Sequence, residues 1–158
     1  MDNRLFMYTL VNKLLLAASE TMQPLPDGRT LLERIIEGLS DRVLDQFEKD
    51  LYPLGNDPVD WARAWIRLLS RQGFVVEEHY EFEEIGDNIE VRIFNGSCSY
   101  REYCRQADRE GLLFVCPRMQ SIKWIISKNT GPHKVVPRDM IHDHYCVAII
   151  ASLLQSKE

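Results

Sequence analysis

Residues 74–94 read FVVEEHYEFEEIGDNIEVRIF. Two β-like runs, Phe74 to Glu84 and Ile89 to Phe94, flank Gly86-Asp87-Asn88. Ile89, Val91 and Ile93 alternate with polar neighbours, the period of a strand with one buried face. Gly, Asp and Asn tolerate the left-handed conformations that a tight connection needs. An antiparallel hairpin is predicted, and it decides the class, because the segments before it carry a helical period.

Residues 3–19 are mostly apolar, with Leu10, Leu14 and Leu15 at helical spacing. Pro24, Pro26, Asp27 and Gly28 mark a loop. Thr30 and Glu33 are spaced as a capping box, and the apolar stripe Leu32, Ile35, Ile36, Leu39, Val43, Phe47 and Leu51 follows. Pro53 and Gly55 end that helix. Asp57-Pro58 then supplies an N-cap and a first-turn proline for a helix buried through Trp61, Ala62, Trp65, Leu68 and Leu69, closed by Gly73. Beyond the hairpin, Ser99 to Glu110 reads as a short helix, and Cys116-Pro117 opens another that runs to about Lys128. His133 to Ile141 and His144 to Leu153 read as a second hairpin, with a tight turn near His142-Asp143. The expected class is α+β: a helical N-terminal region packed with an antiparallel sheet built from two hairpins and two short helices. One domain is expected over 1–158, with 1–56 as its helical part and 57–154 as an α/β sensor-like region.

The 158 residues suit one domain with its own core. A net charge of -5, with basic residues scattered beside acids, argues against nucleic acid as a partner. The apolar run Leu14 to Ala18 is far short of the roughly 20 residues of a membrane span, and Asp2, Asn12 and Lys13 interrupt any signal-like region. A reducing cytoplasm is the default expectation, where cysteines serve as thiols or metal ligands rather than disulfides.

There are four cysteines, Cys98, Cys104, Cys116 and Cys146. Cys98 and Cys116 each precede an expected helix, whose N-terminal N–H groups and partial positive charge favour thiolate. Cys146 falls on the last strand. Cys104 shares a helical face with Tyr100, Tyr103 and Ala107 and reads as core. It lies about 9 Å along a helix from Cys98 at 1.5 Å per residue, too far to share an ion. Cys98, Cys116 and Cys146 are the candidate metal ligands, with His144, or else His142, as a fourth. The trio has no Cys-x-x-Cys spacing, and three buried thiols are the plain alternative. Trp61, Trp65, Tyr100 and Tyr103 are the candidate lining of an apolar ligand pocket, or simply core. The acidic run Glu77, Glu78, Glu81, Glu83 and Glu84 reads as a solvated hairpin face. No P-loop, Gly-x-Gly-x-x-Gly or Gly-x-Ser-x-Gly motif is present.

Three segments together carry a resemblance: Asn95-Gly-Ser-Cys-Ser-Tyr100, the Cys116-led helix, and Asp143-His-Tyr-Cys-Val-Ala-Ile149. Over residues 60–153 the pattern resembles the 4-vinyl-reductase-type domains and the related C-terminal sensor domains of iron–sulfur repressors. The resemblance implies a small α/β domain with an internal pocket, often dimeric. Such a domain binds small hydrophobic molecules, or zinc or an iron–sulfur cluster through its cysteines. The carried-over positions are Cys98, Cys116 and Cys146. Ser99 stands where proline is usual and His142 where glycine is usual, and no helix-turn-helix is recognisable upstream. The expected function is a small-molecule or metal-binding sensor or carrier, most simply a homodimer. A small cysteine-dependent hydrolase or reductase, using His144 or His79 as base, and a ligand-free interaction module are the alternatives.

Overall fold

The computed structural model describes residues 3–141 and 144–154. Helix α1 spans Asn3–Met22 and α2 spans Gly28–Phe47, continued by a 3-10 turn over Glu48–Asp50. Helix α3 is Pro58–Arg71, and the hairpin strands are β1, Tyr80–Ile85, and β2, Asn88–Phe94. Helices α4, Arg101–Arg109, and α5, Pro117–Thr130, precede β3, His133–Asp139, and β4, Tyr145–Ser152. The α+β class stands. The turn expected at His142-Asp143, and His142 as a ligand, lie outside the described residues.

The sheet is antiparallel in the order β1-β2-β4-β3, so the two hairpins meet through β2 and β4. Ile85 pairs with Asn88 across Gly86, which takes a φ of 60° and so needs no Cβ. Side chains alternate across each strand, and the register puts Tyr80, Ile93 and Cys146 in one row. Phe82, Val91 and Ala148 form the next row, and Ile89 and Ile150 continue it. That face is covered by α3 and α5, whose Trp65, Ile66, Leu68, Met119, Ile122 and Ile125 complete the core. Glu81, Glu83 and Glu84 are exposed, as the solvated reading of the acidic run requires.

Helix α3 begins as its sequence says. Asp57 and Asp60 form a reciprocal capping box, Pro58 occupies the first turn, and Gly73 follows with a φ of 73°. Helix α2 does not. It starts two residues before Thr30, with Asp27 as N-cap, and the Thr30–Glu33 box does not form. The cause is Gly28, buried where a Cβ would collide with the Met22 carbonyl oxygen. Only glycine lets the two helices turn so sharply, and once the chain is committed there Thr30 is already inside α2. The α2 stripe is also narrower than expected: Leu32, Ile36 and Leu44 are buried, whereas Ile35 and Leu39 are exposed.

Two glycines of α2 therefore predict opposite effects. Gly28→Ala must displace backbone and should cost about 1–3 kcal/mol. At Gly38 an added Cβ would meet nothing within 4 Å, so Gly38→Ala should add about 0.5–1 kcal/mol. Urea denaturation midpoints of the two variants check the signs.

Candidate functional site

Three stretches distant in sequence converge where β1 starts, β2 ends and β4 starts. The sheet contributes Tyr80 and Cys146 from one cross-strand row. The turn after β2 contributes Asn95, Cys98, Ser99 and Tyr100, and the start of α5 contributes Cys116 and Arg118. The turn is tight: the Cys98 N–H donates to the Asn95 carbonyl at 3.1 Å, and Arg101 N–H donates to the Cys98 carbonyl at 3.2 Å. Asn95 Nδ2 lies 3.8 Å from Cys146 Sγ, joining the turn to β4.

Helix α1 holds the turn from the far side. Asn12 is 5% exposed, and its Nδ2 donates to the Ser99 carbonyl at 2.6 Å while its Oδ1 accepts from Tyr103 N–H at 2.8 Å. A buried amide with both ends satisfied fixes position as an apolar side chain would not.

The four cysteines lie within electrostatic reach of one another. Cys116 feels Cys98 and Cys146 electrostatically, and all four cysteines are free and partly buried. The thiolate expected at Cys116 does not form. Burial pushes its thiol up to about 12, although the sulfur sits where the Met119 and Arg118 N–H groups offset part of that penalty. Desolvation outweighs the helix N-terminus here. Cys98 is not at a helix start at all, because α4 begins only at Arg101. Cys104 packs with Leu16, Tyr103 and Ala107, and burial raises its thiol far above the ordinary range, in keeping with its core reading.

Among the described residues, no group of three or more His, Cys, Asp or Glu side chains is close enough to hold a metal ion. His144 is exposed, and its carbonyl accepts from Asn95 N–H at 2.8 Å. The candidate aromatics are divided. Trp65 lies in the sheet-side core, edge-on to Trp124 at 5.2 Å with its Nε1 donating to Ser121 Oγ at 3.2 Å. Tyr103 lies in the separate α1–α4 cluster, its hydroxyl 2.8 Å from Ser19 Oγ. Trp61 is half-buried, Tyr100 reaches Cys98 and Cys116, and Tyr103 reaches Cys104 and Cys116. These four do not share one core cluster, because α3 and α4 bury their aromatics against different neighbours.

The residue that sequence reasoning missed is Arg118. It is 6% exposed, and its Nη1 donates to the Tyr80 hydroxyl and its Nη2 to Ser99 Oγ at 3.0 Å. Its guanidinium lies 5.6 Å from the Tyr80 ring centroid and 6.0 Å from that of Tyr100. Burial works against the charge, and the hydrogen bond to Tyr80 works for it. A signal was available: Arg118 precedes the fully buried Ile122 and Ile125 by four and seven residues, on one helical face.

A cleft of about 320 Å3 lies at the other end of the sheet, lined by Pro58, Asp87, Asn88, His133, Ser152 and neighbours. A second, of about 230 Å3, lies over Glu83, Glu90 and Arg92. Neither contains a cysteine.

No family model matches this chain, and comparison with curated proteins and with solved structures finds no match either. The site is read from its own geometry.

The raised Cys116 thiol has a pH consequence. The folded form resists losing this proton, so its contribution is full below about pH 9 and is lost as pH rises toward about 12. Stability measured by urea midpoint should fall with pH across that window, and Cys116→Ala should flatten the fall. An unchanged slope in the variant would show that other groups carry it.

Proposed function

We propose that this chain is a small-molecule-binding sensor or carrier domain whose ligand sits beside Cys98, Cys116 and Cys146. The observation that supports this reading is convergence. Residues 18 and 30 apart in sequence come together at one end of the sheet, held there by Asn12 and Asn95. Cys98 and Cys146 are only partly buried, which gives the region an edge toward solvent. Buried polar groups gathered on one apolar wall are the usual make-up of a ligand site. Catalysis by a cysteine fits less well. A nucleophile needs a thiolate and an adjacent base, whereas Cys116 is held neutral and His79 is engaged with Ser97 Oγ at 2.9 Å.

The test is anaerobic purification followed by elemental analysis, a visible spectrum and mass spectrometry of compounds released on denaturation. A colourless protein is expected, carrying an organic compound that slows alkylation of Cys98 and Cys146. Stoichiometric iron or zinc would replace this reading with a thiolate–metal one.

The partner best supported is a second copy. Helix α1 buries Asn12, Leu16 and Ser19, yet its opposite face carries Phe6, Met7, Leu10 and Leu14, which are 57%, 51%, 50% and 67% exposed. A contiguous apolar face left bare on a helix marks an interaction surface. With Leu5 on α1, and Ile35 and Leu39 on the neighbouring α2, the bare side chains amount to roughly 700 Å2, near the 800 Å2 per partner of a standard interface. An apolar stripe centred on Leu10 and flanked by Lys13 suits two-fold pairing with itself. Light scattering should give twice the chain mass at micromolar concentration, and Leu10→Glu with Leu14→Glu should give the monomer. A wild-type monomer at 100 µM, on the order of the weakest specific dimers, would remove the proposal.

A further inference from the structure

The geometry points to a carboxylate as the group that Arg118 receives, which makes the ligand of the proposed site an organic acid. This inference rests on the ligand-site reading and specifies its chemistry. Arg118 is a buried cation whose two hydrogen-bond acceptors, the Tyr80 and Ser99 hydroxyls, carry no charge. Its Nε is buried and has no partner among the described residues. No carboxylate stands within ion-pair distance of it among the described residues. Buried charges are ordinarily paired, because desolvation costs too much otherwise.

The surroundings sharpen the imbalance. Arg118 is the second residue of α5, so its charge adds to the positive end of the helix instead of opposing it. The Tyr80 and Tyr100 rings hold the guanidinium by their faces, an attraction that supplies no counter-charge. Burial keeps both tyrosine hydroxyls protonated, with Tyr100 pushed up to about 12, and the Cys116 thiol likewise. Arg101, two residues beyond Ser99, also has a buried Nε without a partner. The groups in direct contact with the guanidinium, the Tyr80 and Ser99 hydroxyls and the Tyr80 and Tyr100 rings, carry no negative charge.

The shape of the unmet need selects the anion. Nε and Nη2 lie along one edge of a guanidinium and match the two oxygens of a carboxylate. A carboxylate on that edge satisfies Nε and takes the place of the Ser99 hydroxyl on Nη2. The rest of the wall is the Tyr100 ring and thiol sulfur, which suits an apolar body. The ligand class is therefore a carboxylic acid with a hydrocarbon or aromatic remainder.

Calorimetry and thermal shift on the full chain test this with benzoate and hexanoate, against benzyl alcohol and hexanamide as uncharged counterparts. The acids should bind and raise the melting temperature, and the neutral pair should not. Arg118→Gln should abolish the shift. Arg118→Lys keeps the charge but loses the planar edge, and should weaken binding by about tenfold or more. Circular dichroism checks that each variant folds, and where the glutamine variant does not, the lysine variant carries the comparison. Neutral analogues binding as tightly as the acids would sink the carboxylate while leaving the ligand site standing. Acid binding undiminished in Arg118→Lys, tighter binding of inorganic phosphate than of benzoate, or no binding of either acid would overturn the inference. Protection of Cys98 and Cys146 from alkylation judges the ligand site separately.

Discussion

The pairing of Ile89–Phe94 with Tyr145–Ile150 turns two hairpins into a sheet. A lone two-stranded hairpin is marginal in water. Joined through β2 and β4, the four strands present one continuous apolar face for α3 and α5 to cover. The same pairing sets Cys146 opposite Ile93 and beside the turn that starts at Asn95. The site is thus a by-product of register: a slip of one residue would send Cys146 to the opposite face of the sheet and away from α5.

The wall built on that register is neither an ordinary core nor an ordinary polar cleft. Tyr80 and Tyr100 present faces to a guanidinium, and two cysteines, Cys98 and Cys116, lie within its electrostatic reach. Burial decides the protonation of the group nearest the core, since it overrides the helix N-terminus at Cys116. The helix end contributes in another way, by adding its positive potential to that of Arg118. The Cys116 sulfur is neutral, polarisable lining, and Arg118 carries a formal charge beside it.

Much of the fold was legible because its signals are local. Gly86-Asp87-Asn88, Asp57-Pro58 and Cys116-Pro117 each sit where the structure bends or starts a helix. The start of α2 was not legible, because the residue that sets it, Gly28, answers to the Met22 carbonyl across a turn rather than to a capping pattern. The strand order was equally hidden, since alternation says which face a strand buries and nothing about which neighbour it takes. At the site, Cys98, Cys116 and Cys146 were visible as residue types. Arg118 and Tyr80 were not, because a basic residue near a helix start and a tyrosine in a strand are ordinary until their partners are known. Asn12 showed only as a break in an apolar run, and its role depends on Ser99 and Tyr103, 87 and 91 residues away.

That separation has a consequence for how the chain reaches this state. Helices α1 and α2 are neighbours in sequence and form a helical pair from local contacts, which form quickly. Yet Asn12 and Ser19, the polar residues on the inner side of α1, find their partners outside α1 on Ser99 and Tyr103. During synthesis from the N-terminus, the helical pair emerges first and waits with apolar side chains uncovered and polar groups served by water. The docking of α1 is then a late event, gated by completion of the turn that bears Cys98. Helix α1 is made well before the segment that seats it, and its arrival closes the wall on which the site is built.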